Sequence, residues 1–168
     1  MTSAIITHEQ LKSIIHYHAE TGIFTRIKSV RKPSIGVMNL ALTEKGYLRI
    51  VLLNKSYLSH RIAWFYVTRA WPKNQIDHIN NIKVDNRLTN LREANNSQNQ
   101  KNAGLRNDNS SGYKGVNYHK ITGKWRAQIR INSKKTHLGL YTTAEDASRA
   151  YEAGAKLHHG DFYYKKEH

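Results

Sequence analysis

The chain has 168 residues, with 27 Lys and Arg against 12 Asp and Glu, a formal net charge of +15 and a sequence pI near 10.1. That excess favours a polyanionic partner, and nucleic acid ahead of a membrane surface, because no long basic amphipathic helix is written in the chain. The lack of cysteine excludes disulfides and thiolate zinc sites, and with neither an apolar run able to span a bilayer nor a signal peptide an intracellular protein is expected.

Cores must be modest at a mean hydropathy of −0.70 and 39% hydrophobic residues, so one large domain or two small ones are expected. Thr7-His8-Glu9-Gln10 is a capping box, with Thr7 accepting an amide bond from residue 10 and Gln10 reaching back. Leu11, Ile14 and Ile15 then share a helical face, which predicts a short amphipathic helix. His16 and His18 are read as solvated helix side chains rather than metal ligands. Gly22-Ile23-Phe24-Thr25 turns into a strand. Arg26, Lys28, Arg31 and Lys32 form a basic run before Pro33, which serves equally as a solvated loop or a DNA-backbone contact. Residues 46–53 form a strand, with Asn54-Lys55 as its turn and Tyr57-Leu58 starting the return. Residues 60–67, HRIAWFYV, read as a buried helix with Ile62, Ala63 and Tyr66 at helical spacing, ended by Ala70-Trp71-Pro72. His60 is read as structural or as a phosphate contact, not as a second base.

Chemistry concentrates in residues 75–102, QIDHINNIKVDNRLTNLREANNSQNQKN. Ile76 and Ile79 flank Asp77 and His78 on a short strand, where period-two alternation sends those two side chains to opposite faces. The loop from Asn80 to Asn86, dense in Asn and Asp, predicts a tight reversal. Asn90-Leu91-Arg92 is the return strand, and Asn95 or Asn96 caps a helix carrying Ser97, Gln98, Asn99 and Asn102. The unit is thus ββα. A His held against an Asn carbonyl has its tautomer fixed and its other nitrogen available to take a proton from water. Asp and Asn oxygens suit a hard divalent ion that keeps most of its waters. Residue types alone are served first by an inert hydrogen-bonded turn.

Order and spacing add a resemblance. His60-Arg61 with Trp64, Pro72, Asp77-His78, Asp85-Asn86-Arg87, Asn90-Leu91-Arg92, and Ser97-Gln98-Asn99 with Asn102 follow the pattern of the HNH, or ββα-metal, nucleases, particularly those of phages and mobile introns. The resemblance implies that His78 is the general base, that Asn90 orients the water, and that Asp77 and Asn99 hold one Mg²⁺ or Mn²⁺ ion. It assigns Asp85, Asn86 and His60 to the structure of the active-site loop. The Thr21-Gly22-Ile23-Phe24-Thr25 segment extends the likeness, with Arg26 where Trp is frequent. Two positions depart from the pattern: Asn81 stands where Gly is usual, a residue able to take positive φ, and Ile82 follows, expected to pack against the N-terminal region.

Residues 101–111, KNAGLRNDNSS, read as a linker, flexible until DNA is bound, with Lys101 and Arg106 able to track phosphates. Beyond it, Trp125, Ala127, Ile129 and Ile131 alternate with Arg126, Gln128, Arg130 and Asn132, which gives a strand with one apolar and one basic face. Strands at 112–119 and 135–141 complete a three-stranded antiparallel sheet, with a hairpin turn at 120–123. Thr142-Thr143-Ala144-Glu145 is a second capping box opening a helix to about His158. Ala147, Ala150, Tyr151, Gly154 and Ala155 form its small face for packing on the sheet, and Gly160 ends it. The other sheet face, carrying Lys114, Arg126, Gln128, Arg130 and His137, is read as a DNA surface fit for a major groove rather than a merely solvated one. Tyr113-Lys114-Gly115-Val116, Gly123-Lys124-Trp125, Ala127, Ile129-Arg130, Leu138-Gly139, residues 143–147 and Ala150-Tyr151 resemble the AP2 DNA-binding domain. Asn117 and His137 replace base-reading residues of the plant domains, so strand-in-groove binding carries over and the plant recognition sequence does not.

The expected fold is α+β: a ββα-metal nuclease domain followed by a three-stranded antiparallel sheet plus helix. The expected parts are an accessory segment 1–45, a nuclease domain 46–102, a linker 103–111 and an AP2-like domain 112–168. The expected function is that of a homing-type DNA endonuclease with one Mg²⁺ or Mn²⁺ per active site, nicking one strand per centre, acting on double-stranded DNA as monomer or dimer and needing no other small-molecule cofactor. Phage origin would place it in the host cytoplasm. DNA contacts are expected from Arg87, Arg92, Lys101, Arg106, Lys114, Asn117, His119, Arg126, Gln128, Arg130, Lys135 and His137. A catalytically inactive sequence-specific DNA-binding regulator is the alternative, and an RNA-directed nuclease the third reading.

Overall fold

The computed structural model describes residues 6–28, 35–105, 108–131 and 134–163. Arg31, Lys32, Pro33, Arg106 and Asn132 lie outside them. Within them the chain is mixed α/β, with several small antiparallel sheets and four α-helices. It divides into two compact units, Met1–Asn96 and Ser97–His168.

The first unit opens with α1 (His8–Ile14), whose capping box forms as read: the Gln10 N–H donates to Thr7 Oγ1 and Thr7 N–H to Gln10 Oε1. Ile15 lies past the end of that helix. It begins β1 (Ile15–His18), so His16 and His18 sit on the exposed side of a strand, not on a helix. Buried Ile15 and Tyr17 alternate with them, and that period of two outweighs the helical reading of Ile15. β1 pairs with β2 (Ile23–Arg26), and β2 with β3 (Gly36–Val37). A second sheet joins β4 (Ala41–Leu42), β5 (Leu48–Leu52) and β6 (Lys55–Leu58). Leu53 and Asn54 both take positive φ, +48° and +62°, as a two-residue hairpin turn requires.

α2 (Ser59–Thr68) follows, burying Ile62, Ala63 and Phe65, and ends where Arg69 takes a left-handed conformation. Phe65 stacks on Trp71 with ring centroids 4.5 Å apart. One continuous core gathers Leu11, Ile15, Phe24, Ile50, Leu52, Ile62, Ile76 and Leu91. Burying side chains of this size contributes roughly 1.5–3 kcal/mol each. That core fixes β7 (Gln75–His78) against β8 (Leu91–Ala94), antiparallel, with Asp77 opposite Arg92 and His78 opposite Leu91. A 3-10 turn, Leu88–Asn90, precedes β8.

α3 (Asn96–Asn102), apart from its first residue, belongs to the second unit. There β9 (Val116–His119), β10 (Lys124–Ile131) and β11 (Lys134–Tyr141) form a meander in the order β11-β10-β9. α4 (Ala144–His159) packs on it through Ala147, Tyr151 and Ala155. The cap lies one residue later than read from the sequence. Thr143, not Thr142, is the N-cap, and its hydroxyl accepts the Asp146 N–H at 3.1 Å. Among the described residues, no helix is long and apolar enough to cross a membrane.

Candidate active site

Strand pairing brings Asp77 into register with Arg92, and both Asp77 and His78 are buried, 5% and 4% exposed. Arg92 Nε–H donates to Asp77 Oδ2 at 2.9 Å, with Nη2 2.8 Å from the same oxygen. Arg92, expected to contact DNA, is thus turned onto a neighbouring strand. His78 lies 3.1 Å from Asn86 through Nε2 and Oδ1. An amide oxygen only accepts, so Nε2 carries the proton and Nδ1 is the basic nitrogen of the neutral ring.

The loop between β7 and β8 is tied from within. Asn90 Oδ1 accepts the Asn80 N–H at 2.9 Å, and its Nδ2 donates to the Asp85 carbonyl at 2.8 Å, so one amide staples both ends of the reversal. Asn80 Nδ2 donates to Asp85 Oδ2, while Arg87 grips both oxygens of that carboxylate at 2.6 and 2.8 Å. The Arg87 bonds above all hold the Asp85 carboxyl at about 2, below its ordinary range. Asn81 takes φ +59°, the conformation anticipated for an Asn in the place of Gly. Ile82 does not pack against the N-terminal region, being 52% exposed.

What supports the loop from the N-terminal hairpin is instead Tyr17 and Gly22. Tyr17 OH donates to the Asn86 carbonyl at 2.7 Å, Leu88 N–H donates to Ala19 O at 2.9 Å, and the Gly22 Cα comes so close that an added Cβ would lie 2.7 Å from Arg87 N. Tyr17 was not singled out from the sequence, and Gly22 was read only as the turn into a strand. Only the resemblance at the Gly22 strand hinted at a role, and a buried Tyr-to-carbonyl bond spanning 69 positions leaves no local pattern.

His60 from α2 is 4% exposed, with its ring centroid 5.1 Å from His78 and 5.2 Å from Tyr47. It is buried beside the His78 ring. Burial, then the charges of His78 and Arg61, push its pKa down to about 3. Burial also lowers His78, against the Asn86 bond and the Asp77 charge, which raise it. Both rings are therefore neutral at neutral pH.

A divalent ion is tested by the donor chemistry. Asp77 supplies a carboxylate, whose oxygens are acceptors only. Asn99 stands half-buried on α3, in the other unit. Among the described residues, no group of three or more His, Cys, Asp or Glu is arranged to hold a metal. A carboxylate oxygen is a hard donor, of the kind that suits a hydrated ion of the Mg²⁺ class.

In the second unit, Arg126, Gln128 and Arg130 alternate with buried Ala127 and Ile129. Their cross-strand partners are Asn117, His137 and Lys135, so these six share a face. Asn117 Oδ1 accepts from Arg126 Nε at 3.0 Å. His119 instead bonds Thr122 within the hairpin turn at 2.9 Å. Lys114 does not join the basic face. Its ammonium donates to the carbonyls of Lys101, at 2.7 Å, and of Ala103, and burial lowers its pKa to about 8. Asn109 and Ser111 are likewise committed to turn bonds onto Tyr113, Gly112 and Val116, within the stretch expected to be a linker flexible until DNA is bound.

Residues 57–101 match the family model of the HNH endonucleases, which supports a nuclease function for the segment holding Asp77, His78 and Asn90. Among curated proteins, APETALA2-like protein 2 of Oryza sativa subsp. indica is 41% identical over 46 residues, 27% of this chain and 11% of that protein. AP2-like ethylene-responsive transcription factor TOE2 of Arabidopsis thaliana is 41% identical over 46 residues, 27% of this chain and 10% of that protein. The chain thus spans about a tenth of the length of the curated relatives it matches. No solved structure matches.

Proposed function

We propose that the chain is a metal-dependent DNA endonuclease of the HNH homing type, nicking one strand per active centre. The observation that carries it is the buried His78, bonded through Nε2 to Asn86 at 3.1 Å, beside a buried Asp77, within the segment matched by the HNH family model. In the reaction, His78 Nδ1 takes a proton from the attacking water. Asn86 holds the tautomer that makes Nδ1 the base, and Tyr17 holds Asn86. Asn90 keeps the loop closed around His78 and orients the water. Asp77 would supply a carboxylate ligand to one Mg²⁺ or Mn²⁺, which would stabilise charge on the phosphate and the departing 3′-oxygen. The face carrying Arg126, Gln128, Arg130, Lys135 and His137 binds double-stranded DNA, a reading supported by the short likeness to AP2-like transcription factors and the net charge of +15.

The test is conversion of supercoiled plasmid and phage DNA with Mg²⁺, Mn²⁺ or EDTA, comparing the native chain with His78→Ala. Metal-dependent open circle, reduced at least about 10²-fold in the variant while DNA binding persists, is the expected result. Linear product would replace nicking with paired centres. Tight, salt-dependent binding without any cleavage would replace the enzyme with the DNA-binding regulator.

A further inference from the structure

Two of the basic side chains around His78 have their charge cancelled: Arg92 is paired with Asp77 and Arg87 with Asp85. Lys83, in the loop between β7 and β8, is held differently. Its Nζ donates to the Lys45 carbonyl at 2.8 Å and stands 5.0 Å from the centre of the Tyr47 ring. A neutral carbonyl and a ring face orient an ammonium without neutralising it. Among the described residues Lys83 forms no ion pair, and its side chain is exposed. An ammonium has three N–H donors, of which the Lys45 carbonyl takes one.

The Tyr47 ring that Lys83 covers lies against the candidate centre, its centroid 6.0 Å from that of His78 and 5.2 Å from that of His60. Burial, then the charge of Asp77, raises the Tyr47 pKa. Burial is the first cause of the lowered His78 pKa, and the Lys83 charge adds to it. All of these groups lie within the first unit. Holding a lysine chain in one place costs rotamer entropy, and here it leaves an uncancelled positive charge beside the candidate base.

We infer that Lys83 is a phosphate-binding residue of the nuclease centre: its ammonium donates to a non-bridging oxygen of the phosphate being cut, while the Lys45 carbonyl and the Tyr47 ring aim it. This rests on the endonuclease reading above and deepens it, because Arg87 and Arg92 are both turned onto carboxylates and Lys83 is not. Negative charge grows on the non-bridging oxygens as water attacks, and a donor already fixed in place stabilises it without having to reorganise.

The test uses the full chain with Lys83→Met, which keeps the apolar stem and removes the charge, and Lys83→Arg, which keeps the charge. Three quantities are read: kcat and KM for nicking, the slope of log affinity against log salt for DNA, and hydrogen exchange at the amides of residues 80–86. Lys83→Met is expected to lower kcat by roughly tenfold or more, the worth of one hydrogen bond to a charged group. Its salt slope should fall by about 0.9, with exchange across residues 80–86 unchanged. Lys83→Arg is expected to keep most of the native kcat and the native slope. A raised KM with native kcat would put the contact on DNA away from the reacting phosphate and overturn the inference. So would equal losses in both variants with an unchanged slope and faster exchange, which would make Lys83 a tie between the loop and Lys45 and nothing more. If Lys83→Met unfolds, Lys83→Gln replaces it in all three measurements. A native chain that nicks DNA, with Lys83→Met equally fast, sinks this inference alone, whereas a native chain that cuts no DNA sinks the endonuclease reading itself.

Discussion

His60 is a buried residue whose titration ties folding to pH. It is 4% exposed, stands edge-on to His78, and its pKa falls to about 3. In the unfolded chain it titrates near 6.5, so between about pH 6.5 and 3 the unfolded state binds a proton that the native state refuses. The stability from keeping His60 neutral is complete above the unfolded value and is lost as pH falls toward the folded one. Thermal unfolding midpoints should therefore drop steadily from pH 6.5 to 4. His60→Phe, which keeps a ring against Tyr47, should flatten that slope while His78 retains its own share. A variant with the full native slope would remove His60 from the account.

At the scale of elements, each unit depends on a backbone approach that only glycine allows. Gly115 has φ +72°, and a Cβ there would lie 2.1 Å from the Tyr151 ring and 2.7 Å from Gln128 O. α4 can sit on the sheet only because that carbon is missing. Gly115→Ala should destabilise the second unit by about 2 kcal/mol or more, seen as an early transition in urea. The same urea curve in native and variant chains would refute the contact. The loop between β7 and β8 is held differently, by the Asn90 amide bridging Asn80 and Asp85, which is why so polar a reversal keeps one shape.

For the molecule as a whole, charge decides how it meets a polyanion. With +15 over 168 residues, association should weaken steeply with salt. The cations differ in availability, however: Arg92 and Arg87 are committed to Asp77 and Asp85, and Lys114 to α3. Arg126 and Arg130 remain on the polar face of β10. Replacing both with Ala should reduce the salt slope by about 1.8, roughly 0.9 for each lost phosphate contact. An unchanged slope would move the DNA surface away from that sheet.

Local pattern determined much of this. The Thr7 cap, the alternation of β10, the small face of α4 and the Asp77-His78 pair are written in neighbouring residues, because helix caps and strand periods depend on positions three or two apart. The positive φ at Asn81 was legible for the same reason, as a property of one residue type. Tertiary structure alone decided the rest. Asn86 as the partner of His78, Tyr17 on the Asn86 carbonyl, Arg92 turned to Asp77 and Lys114 turned to α3 are bonds across 8, 69, 15 and 11 to 13 positions. A sequence shows that a basic or amide side chain is present. Only the packed chain, by leaving a carbonyl or carboxylate in need of a donor, shows which partner it takes.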